Sequence, residues 1–358
     1  MCSLAGRFAS QKPAERYLIM RAIHFETYNA PFRPVHVPLP ELQEGQVLVK
    51  MTAAAVNMRD HLIRSGMYRH VPPPLGPSSP VVGNEGAGIV VATRERRYPE
   101  GTRVFFSDGY HLPCGGVWQE YVVADIQHLH PVPPGKSLVE AAALRTAFQS
   151  AWMALEQGGF RPEIEPTQVV LAPAIGSGVG NAAVQLVRAS GGPEALTTAG
   201  SSFKAEHAQG LGYRNVIDLS RETLQAGVAR LAAGGVDVAL DLLGGTFTAQ
   251  ALSVLKPGRA LTLVGYASGD PHATIPLYEL IGKKIELRPF NLLLAPQEAR
   301  SRALEHILRL WQENRIQPHI DRVFHFTEAE QAMHHLLHGR PFGKVLLLFD
   351  EGKHDERE

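Results

Sequence analysis

Residues 167–183 read Thr-Gln-Val-Val-Leu-Ala-Pro-Ala-Ile-Gly-Ser-Gly-Val-Gly-Asn-Ala-Ala, an apolar strand that runs into glycines and then a helix start. Gly178, Gly180 and Ala183 stand at the G-x-G-x-x-A spacing of a dinucleotide-binding strand–helix unit. Each small residue has a mechanical reason: a tight turn, backbone approach to a pyrophosphate, and close packing of helix on strand. The helix N-terminus then offers free amides and a positive dipole end to the anion. One such match also fits an ordinary strand–helix turn, so its surroundings decide.

Those surroundings alternate. Strand patterns are read at 168–172, 195–199, 215–219, 236–242, 260–266 and 284–289, with helical patterns between them. Alternation with short connections predicts a parallel sheet wound on both faces. Upstream, short β segments at 45–50, 86–91, 103–106 and 118–123 lie between Pro and Gly clusters and predict a barrel-like β domain. A helix over 138–156 carries Ala141, Leu144, Phe148, Ala151 and Leu155 at helical spacing and bridges the two regions. The tail adds a strand at 320–326, a helix at 328–338 and a last strand at 344–349.

At 358 residues the chain is long enough for about two domains with cores of their own. Lys plus Arg and Asp plus Glu are both 35, so no net field draws it to nucleic acid or an anionic membrane. Cys2 and Cys114 are the only cysteines, which excludes a disulfide framework and a four-cysteine zinc knuckle. No run of 18 apolar residues predicts a membrane span, and residues 1–19 lack the apolar core of a secretory signal. The expectation is a cytoplasmic protein whose fold starts at Met20 after a flexible extension over 1–19.

Five stretches in order carry a family likeness: Ala55-Val56-Asn57 with Ser65-Gly66-Met67-Tyr68; Val82-Gly83-Asn84-Glu85-Gly86-Ala87-Gly88; Gly178-Val179-Gly180 with Ala183-Val184-Gln185-Leu186; Val236-Asp237-Val238 with Asp241 and Gly244-Gly245; and Gly343-Lys344-Val345. Together they resemble the medium-chain dehydrogenase/reductase superfamily, in its zinc-independent quinone oxidoreductase and enoyl reductase branch. The resemblance implies an α/β chain: a GroES-like β-barrel catalytic domain, completed by the C-terminal tail, plus a doubly wound parallel-sheet Rossmann domain. The expected bounds are 20–147 and 318–358 for the catalytic domain and 148–317 for the NADPH-binding domain. It also implies cofactor contacts at Ser150, Ser177, Gly178, Val179, Gly180, Leu243 and Lys344.

Zinc enzymes of the superfamily hold metal where this chain has Asn57, Asn84 and Thr146. No thiolate or imidazole is offered there, so that zinc site cannot be assembled from them. His334, His335 and His338 are read as a solvated helix face, and Cys114 beside Gly115 as a turn.

An NAD-specific unit carries an acid about 20 residues past the glycines, on the adenosine ribose. Here the stretch is Thr197-Thr198-Ala199-Gly200-Ser201-Ser202-Phe203-Lys204, without a carboxylate. An acid would repel a 2′-phosphate, whereas Ser201 and Lys204 resemble the phosphate grip of NADPH-dependent members. Ser201 also fits a plain helix cap, and a tyrosine frequent in related reductases is Leu219 here.

The resemblance places the nicotinamide between the domains, with Asn57, Asp60 and Tyr68 on the barrel side and Gly265, Tyr266, Phe290 and Asn291 on the other. Tyr68 resembles the proton donor of enoyl thioester reductases, and a phenol donates while neutral at pH 7. It also fits a buried anchor, and Asn57 a loop brace. Loss of a second substrate-side tyrosine, at Leu62, departs from the quinone reductases. The expected activity is NADPH-dependent reduction of quinones or activated double bonds by hydride transfer. The rivals are a 2-enoyl thioester reductase and a non-catalytic NADPH-binding or redox-sensing protein. Apolar Ile285, Leu287 and Phe290 at a sheet edge predict a homodimer.

Overall fold

The computed structural model describes residues 19–67, 81–106, 108–112 and 115–350. The elements, in chain order, are β1 (Ile19–His24), β2 (Arg33–Pro38), β3 (Gln46–Val56), α1 (Met58–Arg64), β4 (Gly86–Thr93), β5 (Arg103–Phe106), β6 (Tyr121–Asp125) and β7 (Leu129–Pro131). The long helix α2 (Leu138–Gly158) follows, then β8 (Val170–Leu171), α3 (Gly178–Ala189), β9 (Thr197–Ala199), α4 (Ser202–Gly210), β10 (Val216–Asp218) and α5 (Leu224–Leu231). Next come β11 (Val236–Asp241), α6 (Thr246–Val254), β12 (Leu255–Leu263), α7 (Leu277–Gly282), β13 (Glu286–Pro289), α8 (Gln297–Gln312), β14 (Ile320–His325), α9 (Ala329–His338) and β15 (Lys344–Leu348).

Strand β3 organises the GroES-like barrel. Val47, Val49 and Met51 point inward with a period of two, and from Ala53 to Val56 both faces are buried. The alternation stops there because β15 pairs antiparallel against this end, Val345 opposite Val56 and Leu348 opposite Ala53. The C-terminal tail thus completes the barrel sheet, ordered β14-β15-β3-β4-β5-β7 with β6 also on β3. Among the elements with no counterpart in the sequence reading are β2, α1, β7 and α8. Strand β2 pairs with β1, Met20 opposite Val37, and α1 is closed by a box between Asn57 and Asp60, whose carboxylate accepts the Asn57 amide at 2.7 Å.

The second layer is the parallel sheet. Strands β13-β12-β11-β8 pair in that order, β10 pairs with β9, and a parallel bridge from Leu171 to Leu196 joins the two pieces. Numbered from β8, the order is 3-2-1-4-5-6, the dinucleotide-binding arrangement with its switch point at β8. The strand read at 260–266 instead spans Leu255–Leu263. It ends early because the Val264 and Gly265 amides both turn to the Asp241 carbonyl. That turn brings Gly265 and Tyr266 to the carboxyl ends of the strands.

Helix α2 joins the layers. Ser137 caps it by accepting the Glu140 amide at 3.0 Å, and Gly159 ends it at φ 95°. Fifteen of its 21 residues are buried, so it is covered on nearly all sides. Its apolar residues join a core with Ala53, Ala87 and Phe105 of the barrel and Val170, Ala183 and Val238 of the sheet. It runs unbroken past residue 147, where one domain was expected to give way to the next.

Candidate active site

A cleft of about 660 Å³ opens between barrel and sheet, beyond the carboxyl ends of β8, β9, β11 and β12. Of the residues expected to hold a cofactor, Ser150, Ser177, Gly178, Val179 and Lys204 line it. So do Gly265, Tyr266, Phe290, Asn291 and Lys344, together with Asn57 from the barrel.

Three expected residues stand off the wall. A β-carbon on Gly180 would run into the Pro173 and Ala174 carbonyls, so this glycine serves the packing of α3 on its strand. The Ser201 hydroxyl caps α4, accepting the Lys204 amide at 3.4 Å. Leu243 packs into the core beneath the sheet while Leu242 reaches the cleft. Tyr68 and Cys114 lie outside the described residues.

At the α3 end, Ser177 accepts the Gly180 amide at 3.0 Å. Gly178 and Val179 stay on the cleft side, at the positive end of the helix. A β-carbon on Gly176 would sit 3.1 Å from Lys204 Nζ, so the ammonium folds back over the glycine turn. Burial lowers the Lys204 pKa first, and the neighbouring Arg340 charge adds to this. Arg340, which the sequence reading did not single out, lines the same end from the segment before β15. Nothing local marks it, because the tail must close on the barrel before Arg340 faces Lys204. Asp218 accepts Ser202 Oγ at 2.6 Å and stands off the wall.

Among the described residues the wall carries five basic side chains, Arg59, Arg145, Lys204, Arg340 and Lys344, and no Asp or Glu. A glycine turn on a helix N-terminus followed by two cations fits a nicotinamide dinucleotide, its pyrophosphate on α3 and its ribose end toward Lys204.

The barrel end is a polar knot. Lys344 Nζ donates to Glu85 Oε1 and to Asn57 Oδ1, both at 2.5 Å. Asn57 Nδ2 donates to Glu85 at 3.2 Å, and the Thr146 amide donates to Glu85 Oε2 at 2.8 Å. Burial alone would push the Glu85 carboxyl up; Lys344 and the Thr146 donors outweigh it and hold it below its usual value. Both polar ends of Asn57 are therefore engaged.

Asp60 is wholly buried behind the wall, its Oδ1 accepting Tyr110 OH at 2.5 Å. Burial is the main reason its pKa rises to about 6. The same burial, with the Asp60 charge beside it, drives the Tyr110 phenol well above its usual value.

The three positions that correspond to zinc ligands do converge. Asn84 Nδ2 donates to Thr146 Oγ1 at 3.2 Å, and Asn57 joins them through Glu85. Their donors are two amides and a hydroxyl, and the Arg59 guanidinium donates to Asn84 Oδ1 at 2.6 Å. A dication would meet a fixed positive charge there, so the set does not fit zinc. Among the described residues no three His, Cys, Asp or Glu side chains are grouped to hold a metal ion. His335 pairs instead with Asp321 at 2.7 Å, while His334 and His338 lie ring against ring on α9.

Sequence comparisons agree with this architecture. A model described as alcohol dehydrogenase GroES-like domain matches residues 43–134, and one described as zinc-binding dehydrogenase matches 211–347. The human synaptic vesicle membrane protein VAT-1 homolog is 30% identical over 336 residues, 88% of this chain and 81% of that protein. The Bos taurus quinone oxidoreductase-like protein 2 is 30% identical over 312 residues, 86% of each chain. The quinone oxidoreductase of Thermus thermophilus, solved also in complex with NADPH, superposes with a TM-score of 0.77 at 30% identity, covering 92% of this chain and 100% of that one. Among the described residues no helix is long and apolar enough to cross a membrane. The barrel completed by its tail, the 3-2-1-4-5-6 sheet and these matches together place the chain in the medium-chain dehydrogenase/reductase superfamily of NAD(P)-binding oxidoreductases.

Proposed function

We propose that the protein is an NADPH-dependent reductase that delivers hydride to a quinone or to a carbon–carbon double bond conjugated to a carbonyl. The observation that carries this reading is the convergence of Lys204 and Arg340 on a cleft whose described wall holds no carboxylate. A 2′-phosphate brings close to two negative charges, which two cations offset and an acid would repel. NADPH, when bound, supplies the hydride.

The chain's own residues do the rest. Gly178 and Val179 present the α3 amides to the pyrophosphate. Tyr266, Phe290 and Asn291 line the sheet side of the cleft, against which the acceptor would pack. Ser150 on α2 lies between these walls. Asn57 acts as a positioning residue, because its amide is spent on Lys344 and Glu85. Tyr68 is the proton donor in this reading. We also propose a homodimer formed along β13, the edge strand of the sheet, with Leu277, Tyr278 and Ile281 exposed on the adjacent helix α7.

The test is NADPH and NADH oxidation with quinones, enones, enals and enoyl thioesters, on wild type and on Lys204→Ala and Arg340→Ala. Each substitution removes a charge-assisted contact worth about 1.5–3 kcal/mol. NADPH should therefore bind roughly 10- to 100-fold more weakly while NADH is barely affected. A wild-type preference for NADH, or equal weakening of both cofactors, would overturn the cofactor assignment. Tight NADPH binding without oxidation by any acceptor class would overturn the reductase assignment.

A further inference from the structure

Among the described residues, Arg145 is the one fully buried wall cation that no acid pairs with. It lies on α2 at 4% exposure, faces the cleft, and its Nε is buried with no hydrogen-bond partner among those residues. The nearest acids are committed elsewhere: Asp108 pairs with Arg59 at 3.4 Å and Glu85 with Lys344 at 2.5 Å. Burial lowers the Arg145 pKa to about 10, with Asp108 and Glu85 opposing from a distance and Arg300 and Arg59 adding repulsion. A buried guanidinium left in this state is costly unless an anion completes it.

Arg145 stands on the barrel side, next to Thr146, whose amide and hydroxyl bond Glu85 and Asn84, whereas Lys204 lies over Gly176 of the glycine turn. Thr146 and Asn84 flank Arg145 on the barrel side, and Arg59 adds a second guanidinium to the same wall.

We propose that this end of the cleft holds a carboxylate carried by the electron acceptor, so that the substrate is an anionic enone or quinone recognised through Arg145. A guanidinium presents two parallel N–H donors that match a carboxylate. The inference rests on the reductase reading for its chemistry. Reduction of such an enone adds hydride from NADPH to one olefinic carbon and a proton, drawn ultimately from solvent, to the other; the carboxylate is unchanged.

The test compares 4-oxo-4-phenylbut-2-enoate with its methyl ester, using wild type, Arg145→Met and Arg145→Lys. Arg145→Met should lower kcat/KM for the acid about 10- to 100-fold relative to the ester, with Arg145→Lys between them. Comparing enzymes cancels the intrinsic reactivity difference of the two acceptors. Arg145→Met should keep NADPH affinity and lose no thermal stability, because it removes an unanswered buried charge. Equal loss on acid and ester, or a lowered melting temperature with unchanged selectivity, would make Arg145 structural and overturn the proposal. Calorimetric binding of the acid and ester to the NADPH-loaded protein separates the two readings. Selective, Arg145-dependent binding of the acid without turnover supports the carboxylate site while the reductase reading fails; turnover without acid selectivity does the reverse.

Discussion

Removing Lys344 tests whether the polar knot at the barrel end is held by charge. Its side chain is 7% exposed and that of Glu85 2%, so the pair is nearly dry. In Lys344→Met the Glu85 carboxylate keeps the Asn57 and Thr146 donors but loses its countercharge. Breaking a buried pair on one side costs about 3–5 kcal/mol, chiefly because the remaining charge stays buried. Glu85→Gln should cost a similar amount by stranding the ammonium. The double variant Glu85→Gln/Lys344→Met strands neither charge, so its loss should fall short of the sum by about 1–3 kcal/mol. Urea unfolding at pH 7 measures all four corners of the cycle.

The pH dependence gives a second reading of the same pair. The folded Glu85 pKa is below its unfolded value, so its contribution is present above the unfolded pKa of about 4.3 and is lost as pH falls through the folded one. The gap between wild type and Lys344→Met should narrow steadily as pH falls from 7, because burial without the countercharge raises the Glu85 pKa in the variant and lets its carboxyl protonate first, while wild type loses its own contribution only in stronger acid. Strict additivity of the two substitutions, or a gap that widens in acid, would refute the argument.

Asp60 should behave with the opposite sign. Its pKa is raised to about 6, so the stability it contributes is complete below about pH 4 and lost as pH rises through 6, roughly 3 kcal/mol for a two-unit shift. Asp60→Asn should remove that slope from urea unfolding between pH 4 and 7; parallel slopes in both proteins would show that the carboxyl does not titrate there. Tyr68→Phe should lower kcat by about 10²–10⁴-fold on an enone and leave NADPH affinity nearly unchanged. Wild-type kcat where hydride transfer limits the rate would reduce Tyr68 to an anchor. Ile281→Asp, on the exposed face of α7, should convert a dimer to monomer in sedimentation or light scattering at micromolar concentration, and a wild-type monomer would sink that assignment.

What could be read in advance followed from local periodicity. The strand and glycines before α3, and the alternation after it, specify the parallel sheet because each unit carries its own apolar pattern. β3 was legible only to Lys50, since Ala53-Ala54-Ala55-Val56 is buried on both faces and shows no alternation. β2 escaped because Arg33-Pro34-Val35-His36-Val37-Pro38 has its prolines at an exposed edge, where a strand tolerates them. In the cleft, Lys204 was legible from its distance past the glycines. Arg145 was hidden inside an apolar helix, where a charge looks like one solvated position, and Arg340 sits on a tail that folds back from far along the chain.

The same limit explains the zinc positions. Sequence could say that Asn57, Asn84 and Thr146 are poor ligands; it could not say what replaces a metal as the fastener between elements. In the structure the replacement is a hydrogen-bonded network across four segments. Asn57 lies at the β3–α1 junction, Glu85 before β4, Thr146 on α2 and Lys344 at the start of β15. A fully satisfied buried network of this kind fixes its members more firmly than pairwise contacts alone. It also leaves the unanswered charge at this end of the wall to Arg145, since the Lys344 ammonium is already answered by Glu85 and Arg59 by Asp108. Rigidity and acceptor recognition therefore fall to different residues, and Lys344→Met and Arg145→Met should separate them: the first in stability, the second in the preference for a carboxylate.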